Sequence, residues 1–140
     1  MSEADVITRM LHAIDRLDWT VVRESFAPVV ATDYTSLWGG EPADVRAELL
    51  IAQWQEFTAN LAATHHQTGP IVVSDGRAET HVTAVHWLPN GDAWTVHGHY
   101  IAQLANGKIA ALTLQTFRAS GHEGLPTVEA RRPWDGAHRD

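Results

Sequence analysis

The sequence predicts an α+β domain in which helices pack on one face of a strongly curved antiparallel sheet, closing a cone around an internal pocket. Three observations predict it. Apolar residues recur at helical spacing as far as about residue 61, and from about Ala63 the period changes to two. The period-two half is cut by turn residues that accept positive φ, Asp75-Gly76, Pro89-Asn90-Gly91-Asp92 and Asn106-Gly107. Helices followed by a meandering sheet is the order expected of a layered α+β fold.

Each element has a local reason. Ser2 followed by Asp5 reads as a capping box, and Val6, Met10, Ile14 and Leu17 give a first helix over residues 3 to 17 one apolar face. Thr20 to Phe26 reads as a short second helix stopped by Pro28. Val29 to Tyr34 is β-branched and extended, and Gly39-Gly40 breaks it. Glu41-Pro42 opens a third helix, because proline is tolerated in a first turn, and Leu50, Trp54, Phe57 and Leu61 form its apolar face. Four long antiparallel strands follow, near 63 to 73, 77 to 88, 93 to 105 and 108 to 118. In the second of them Ala78, Thr80, Val82, Ala84, His86 and Leu88 share a face, and most are small enough to leave room for a ligand. Residues 1 to 120 form one domain. Residues 121 to 140, richer in Gly, Pro and charge, form a tail whose Pro133-Trp134 is a candidate cover for the pocket mouth.

Composition narrows the functions. A chain of 140 residues supports one core. Its 10 Lys and Arg against 17 Asp and Glu are unclustered, which offers no footprint for nucleic acid or an anionic membrane. The start of the chain lacks the pattern of a secretory signal and no stretch is long enough for a membrane span, so a cytoplasmic protein is expected. With 0 Cys, thiolate zinc sites and a cysteine nucleophile are excluded. No Gly-rich phosphate loop, nucleophile elbow or His-Glu-x-x-His helix occurs. The 9 His and 6 Trp fit a pocket with aromatic walls and groups titrating near neutral pH.

Asp15 flanks the apolar stripe of the first helix and points either to solvent or into the cone. A carboxylate near a helix C-terminus opposes the helix dipole, which gives it a reason to have another partner. His65 and His66 are neighbours on a strand, so only one can enter the pocket. His86 lies among small apolar residues, where burial keeps it neutral unless a carboxylate pairs with it. The buried phenol of Tyr34 needs a partner. Trp38, Trp54 and Trp87 are pocket walls or core. His97 and His99 share a face, as in a metal-binding His-x-His pair, but no acidic third ligand accompanies them and no metal is expected.

The stretches Ala13-Ile14-Asp15-Arg16-Leu17-Asp18-Trp19, Ala31-Thr32-Asp33-Tyr34-Thr35-Ser36-Leu37, Thr64-His65-His66, Val85-His86 and Gly98-His99-Tyr100 with Leu104 together resemble the nuclear transport factor 2-like (cystatin-like) superfamily, in its SnoaL-like branch that includes scytalone dehydratase. The resemblance implies catalytic roles for Asp15, Tyr34, His66 and His86. It places a second catalytic tyrosine on Ile14, a polar serine position near Ile101 and an amide position near Gln103. These three, with Trp38 and Trp54, are the expected substrate-binding set. The Asp15/His66 pair is also similar to the dyad of related dehydrochlorinases.

The expected function is cofactor-independent elimination from a small cyclic or aromatic hydroxy-carbonyl compound. His66 would act as base, Asp15 would fix its tautomer, Tyr34 would donate to developing negative charge, and His86 would protonate or orient the leaving hydroxyl. Two alternatives stand beside it: an isomerase or polyketide cyclase, and a binding module without catalysis. Association of family members through the outer sheet face implies a homo-oligomer, a trimer or dimer.

Overall fold

The computed structural model describes residues 2–121. The remainder of the expected tail, with Pro133 and Trp134, lies outside the described residues. The chain runs α1 (Glu3–Asp15), α2 (Trp19–Ser25), β1 (Phe26–Asp33), α3 (Thr35–Trp38), β2 (Ala43–Arg46), α4 (Ala47–Thr58), β3 (Ala63–Thr68), β4 (Val72–Ser74), β5 (Arg77–Trp87), β6 (Ala93–Ala105) and β7 (Lys108–Ser120). One seven-stranded sheet has the order β2-β1-β7-β6-β5-β3, with β4 also paired to β5.

The helices form where the apolar period placed them, with shifted ends. At α1 the Ser2 hydroxyl accepts from the Asp5 N–H, and the Asp5 carboxylate accepts from the Ser2 N–H. Val6, Ile7, Met10, Leu11, Ala13 and Ile14 of α1 are buried against the sheet. α4 begins at Ala47 and not at Pro42, because residues 43 to 46 pair with β1 as the edge strand β2. Its buried residues Leu50, Ile51, Trp54 and Phe57 recur at helical spacing.

The sheet is mixed and not purely antiparallel. β1 runs parallel to β7, pairing Ala31 with Ala111 and Asp33 with Thr113. The first long strand divides into β3 and β4 around Gly69 and Pro70, and Pro lacks the N–H to carry a ladder through. Curvature has a visible source in β7. His97 and Gly98 of β6 face Arg118 and Thr116, which leaves Phe117 as an extra residue; Ala110 is likewise extra opposite Gln103 and Leu104. Such bulges bend a strand and increase its twist.

The concave face of β5 and β6 turns toward α1 and α4. On it Ala78, Thr80, Val82, Ala84, His86 and Leu88 alternate with exposed or half-buried neighbours, and on β6 Trp94, Val96, Tyr100 and Ala102 do the same. The core therefore lies between this face and the helices, and the space left over becomes the pocket. Among the described residues no helix is long and apolar enough to cross a membrane.

Candidate active site

The site begins where α1 stops. The Asp18 N–H donates to the Ala13 carbonyl at 2.8 Å and the Leu17 N–H to the Ile14 carbonyl at 3.0 Å, with Leu17 at φ 59. This left-handed C-terminal motif ends the helix at Asp15, two residues earlier than the sequence period implies. Leu17 consequently leaves the apolar stripe and is exposed.

A carboxylate in the last helical position opposes the dipole, and β3 supplies the compensation. The Thr64 hydroxyl donates to Oδ1 of Asp15 at 2.8 Å, the His66 backbone N–H donates to Oδ2 at 2.7 Å, and His66 Nδ1 lies 2.7 Å from Oδ1. Burial pushes the Asp15 carboxyl up, but the hydrogen bonds and charge of His66, with Thr64, outweigh it and hold the group below the usual carboxylate range. The carboxylate can only accept, so Nδ1 of His66 carries a proton, and in the neutral ring the lone pair falls on Nε2. His65, the neighbour on β3, is exposed on the opposite face.

His86 projects from the concave face of β5 with its Nδ1 3.0 Å from the Trp94 carbonyl. A carbonyl also only accepts, so this imidazole too is protonated on Nδ1 and offers Nε2 as an acceptor. Burial pulls its pKa down to about 4, with the nearby His66 adding to the fall. His86 is therefore neutral near pH 7 and is not a resident proton donor. The His66 and His86 rings stand 6.1 Å apart, nearly perpendicular.

Tyr34 is aimed by an Asx turn. The Asp33 carboxylate accepts from the Thr35 N–H at 3.0 Å and the Thr35 hydroxyl at 2.7 Å, which bends the chain from β1 into α3. The Tyr34 and Tyr100 hydroxyls lie 3.5 Å apart, both residues buried. Burial raises the pKa of both phenols, so both keep their protons.

Two hollows meet at these groups. One, of about 370 Å³ including its solvent-open part, is lined by Ile14, Trp54, Phe57, Thr64, His66 and Tyr100 among others. The second, of about 320 Å³ also counting its solvent-open part, has His66, His86, Tyr100, Tyr34 and Trp94 in its wall. His66, His86 and Tyr100 line both.

Of the residues singled out in the sequence, Asp15, His66, His86 and Tyr34 converge here, and Ile14 and Trp54 line the first hollow. Three do not. Ile101 and Gln103 lie on the convex side of β6, because the inward positions are Tyr100 and Ala102, and a displacement of one residue along a strand reverses the face. Trp38 is buried behind the pocket, its ring 5.3 Å from that of Trp94.

Over most of its length the chain also fits a known sequence pattern: a SnoaL-like domain profile matches residues 4–108. The chain belongs to the SnoaL-like family. Solved structures agree with this SnoaL-like assignment at the level of fold. The Kfla4162 protein from Kribbella flavida is 22% identical, with 86% of this chain and 92% of that chain covered and a TM-score of 0.76. A scytalone-dehydratase-like protein from Novosphingobium aromaticivorans is 15% identical, with 84% and 83% covered and a TM-score of 0.69. IdmH from Streptomyces antibioticus, described as a polyketide-cyclase-type protein, is 19% identical, with 84% and 93% covered and a TM-score of 0.65. No curated protein sequence matches significantly.

Two residues of this SnoaL-like site were missed in the sequence. Thr64 stands two residues before His66 on one strand face, a spacing that signals a shared partner. Tyr100 shares the inward face of β6 with Trp94 and Val96, but its meeting with Tyr34 depends on pairing across distant strands. The His-x-His pair lies on the convex side. There His99 Nε2 bonds Glu79 at 3.0 Å and its Nδ1 meets His81 Nδ1 at 3.0 Å. Among the described residues no group of three or more His, Asp or Glu could hold a metal ion.

Proposed function

We propose that the protein is a cofactor-independent enzyme that eliminates water from a small cyclic or aromatic hydroxy-carbonyl compound, with His66 as the base. The observation that carries this reading is the 2.7 Å contact between the Asp15 carboxylate and Nδ1 of His66, a ring that lines the hollow and keeps Nε2 for the substrate proton. An imidazole held this way removes a proton from carbon next to a carbonyl, and the adjacent carboxylate stabilises the imidazolium as it forms.

The step balances within the pocket. The C–H electrons form the new C=C bond as the C–O bond to the β hydroxyl breaks. The hydroxyl leaves as water by taking a proton from the His66 imidazolium, which restores the neutral base. Neutral His86 accepts a hydrogen bond from the departing hydroxyl and orients it. Of the two roles expected for it, protonating or orienting, orienting is the one in keeping with an Nδ1–H given to the Trp94 carbonyl and a pKa held to about 4 by burial.

The test is turnover of a tetralone carrying a hydroxyl β to its carbonyl, followed by mass spectrometry. Loss of one water, abolished in His66→Ala, supports the reading. Rearrangement at constant mass assigns the same base to an isomerase or cyclase, and binding with no conversion assigns the fold to ligand carriage.

A further inference from the structure

The polar groups around the two hollows divide by hydrogen-bonding sense. In their neutral forms the rings of His66 and His86 accept at Nε2, because each Nδ1–H faces an acceptor, Asp15 and the Trp94 carbonyl. The phenols of Tyr34 and Tyr100 donate. Among the described residues no Lys or Arg lines either hollow, and the charged group behind the described lining is the Asp15 carboxylate. Such a lining repels carboxylates and phosphates. It complements a neutral molecule with one strong acceptor and a hydroxyl donor.

The phenol spacing says where the acceptor sits. Two hydroxyl oxygens 3.5 Å apart make only a long hydrogen bond to each other, and an oxygen about 2.7 Å from each closes a triangle with them. One incoming oxygen can therefore receive both protons. We propose that Tyr100 is a further substrate-binding residue, forming with Tyr34 a paired-phenol site for the carbonyl oxygen of a neutral hydroxy-ketone whose hydroxyl faces Nε2 of His86. The inference rests on the elimination reading for the direction of electron flow; the phenol pair itself stands on geometry. As the proton leaves carbon, negative charge collects on that oxygen. Two donors fixed by burial stabilise it without reorganising. Tyr34 reaches the position from the turn after β1 and Tyr100 from the middle of β6, so the site exists only when the sheet is assembled.

The experiment uses α-tetralone with an isotope-labelled carbonyl as probe. Binding is followed by fluorescence, since Trp54 and Trp94 line the hollows, and the bound carbonyl stretch by infrared difference spectroscopy. The expected band lies below its position in an apolar solvent. Tyr100→Phe and Tyr34→Phe each move it back toward that position and weaken binding about three- to tenfold. A purely structural role would leave the band unmoved. His66→Ala leaves the α-tetralone band in place while removing turnover of the hydroxy-tetralone, which separates the phenol site from the base. A band unchanged in Tyr100→Phe overturns the proposal, as does the absence of saturable binding by the unaltered protein. If Tyr100→Phe shifts the band while His66→Ala keeps full turnover, the phenol pair stands and the base assignment falls.

Discussion

Asp15 grips His66 at two points, through Nδ1 at 2.7 Å and through the backbone N–H at 2.7 Å, so the carboxylate fixes both the ring and the strand that carries it. The helix end and the first long strand are thereby tied at the atoms proposed to do the chemistry. Preorganisation of this kind removes the need to find the ring orientation during each turnover.

Thr64 completes that grip with its 2.8 Å bond to Asp15 Oδ1, and it acts through Asp15 as a positioning residue. Thr64→Val removes one hydrogen bond, about 1 kcal/mol, or roughly fivefold. The expected loss appears in kcat with KM nearly unchanged, and Thr64→Ser restores it. Steady-state kinetics on the hydroxy-tetralone check both variants.

His86 gives stability a pH dependence with a defined sign. Its folded pKa of about 4 lies below the ordinary value of 6.5. Between those limits the unfolded chain binds a proton that the folded chain refuses, so stability is complete above about 6.5 and falls as the pH drops toward 4. The loss is on the order of 3 kcal/mol. Below that window the lowered carboxyl of Asp15 adds a further loss as it becomes protonated. Denaturant titrations from pH 7.5 to about 4 should show the fall in the unaltered protein and a flatter profile in His86→Gln.

Gly98 lies where β6 faces the Phe117 bulge. A Cβ there would stand 2.5 Å from the Gln115 carbonyl oxygen, a backbone atom that cannot swing aside. Gly98→Ala should therefore cost about 1–3 kcal/mol, typical of an overpacked site. Thermal unfolding measures it, and an unchanged midpoint would show that the bulge relaxes freely.

What the sequence made legible follows physical range. The faces of α1 and β5 were readable because period alone fixes which residues point inward, so Met10, Val82, Ala84 and His86 fall where expected. The parallel pairing of β1 with β7 was not, since it joins residues about eighty positions apart with no local signal. Position along β6 fell between the two. The alternation was visible, but locating family positions by spacing alone set Ile101 and Gln103 one residue from the inward Tyr100 and Ala102. The role of His86 depended on one backbone carbonyl, that of Trp94, which comes into place only through the pairing of β5 with β6.

In the proposed reaction His66, held by Asp15, removes a proton from carbon next to a carbonyl. Hydrogen–deuterium exchange at the α carbon of α-tetralone in heavy water, followed by nuclear magnetic resonance, tests that step without requiring the natural substrate. Exchange above the uncatalysed rate is expected in the unaltered protein, with a fall of about 10² to 10⁴ in His66→Ala and a substantial fall in Asp15→Asn. Exchange that persists at full rate in His66→Ala, or none in the unaltered protein, would contradict it.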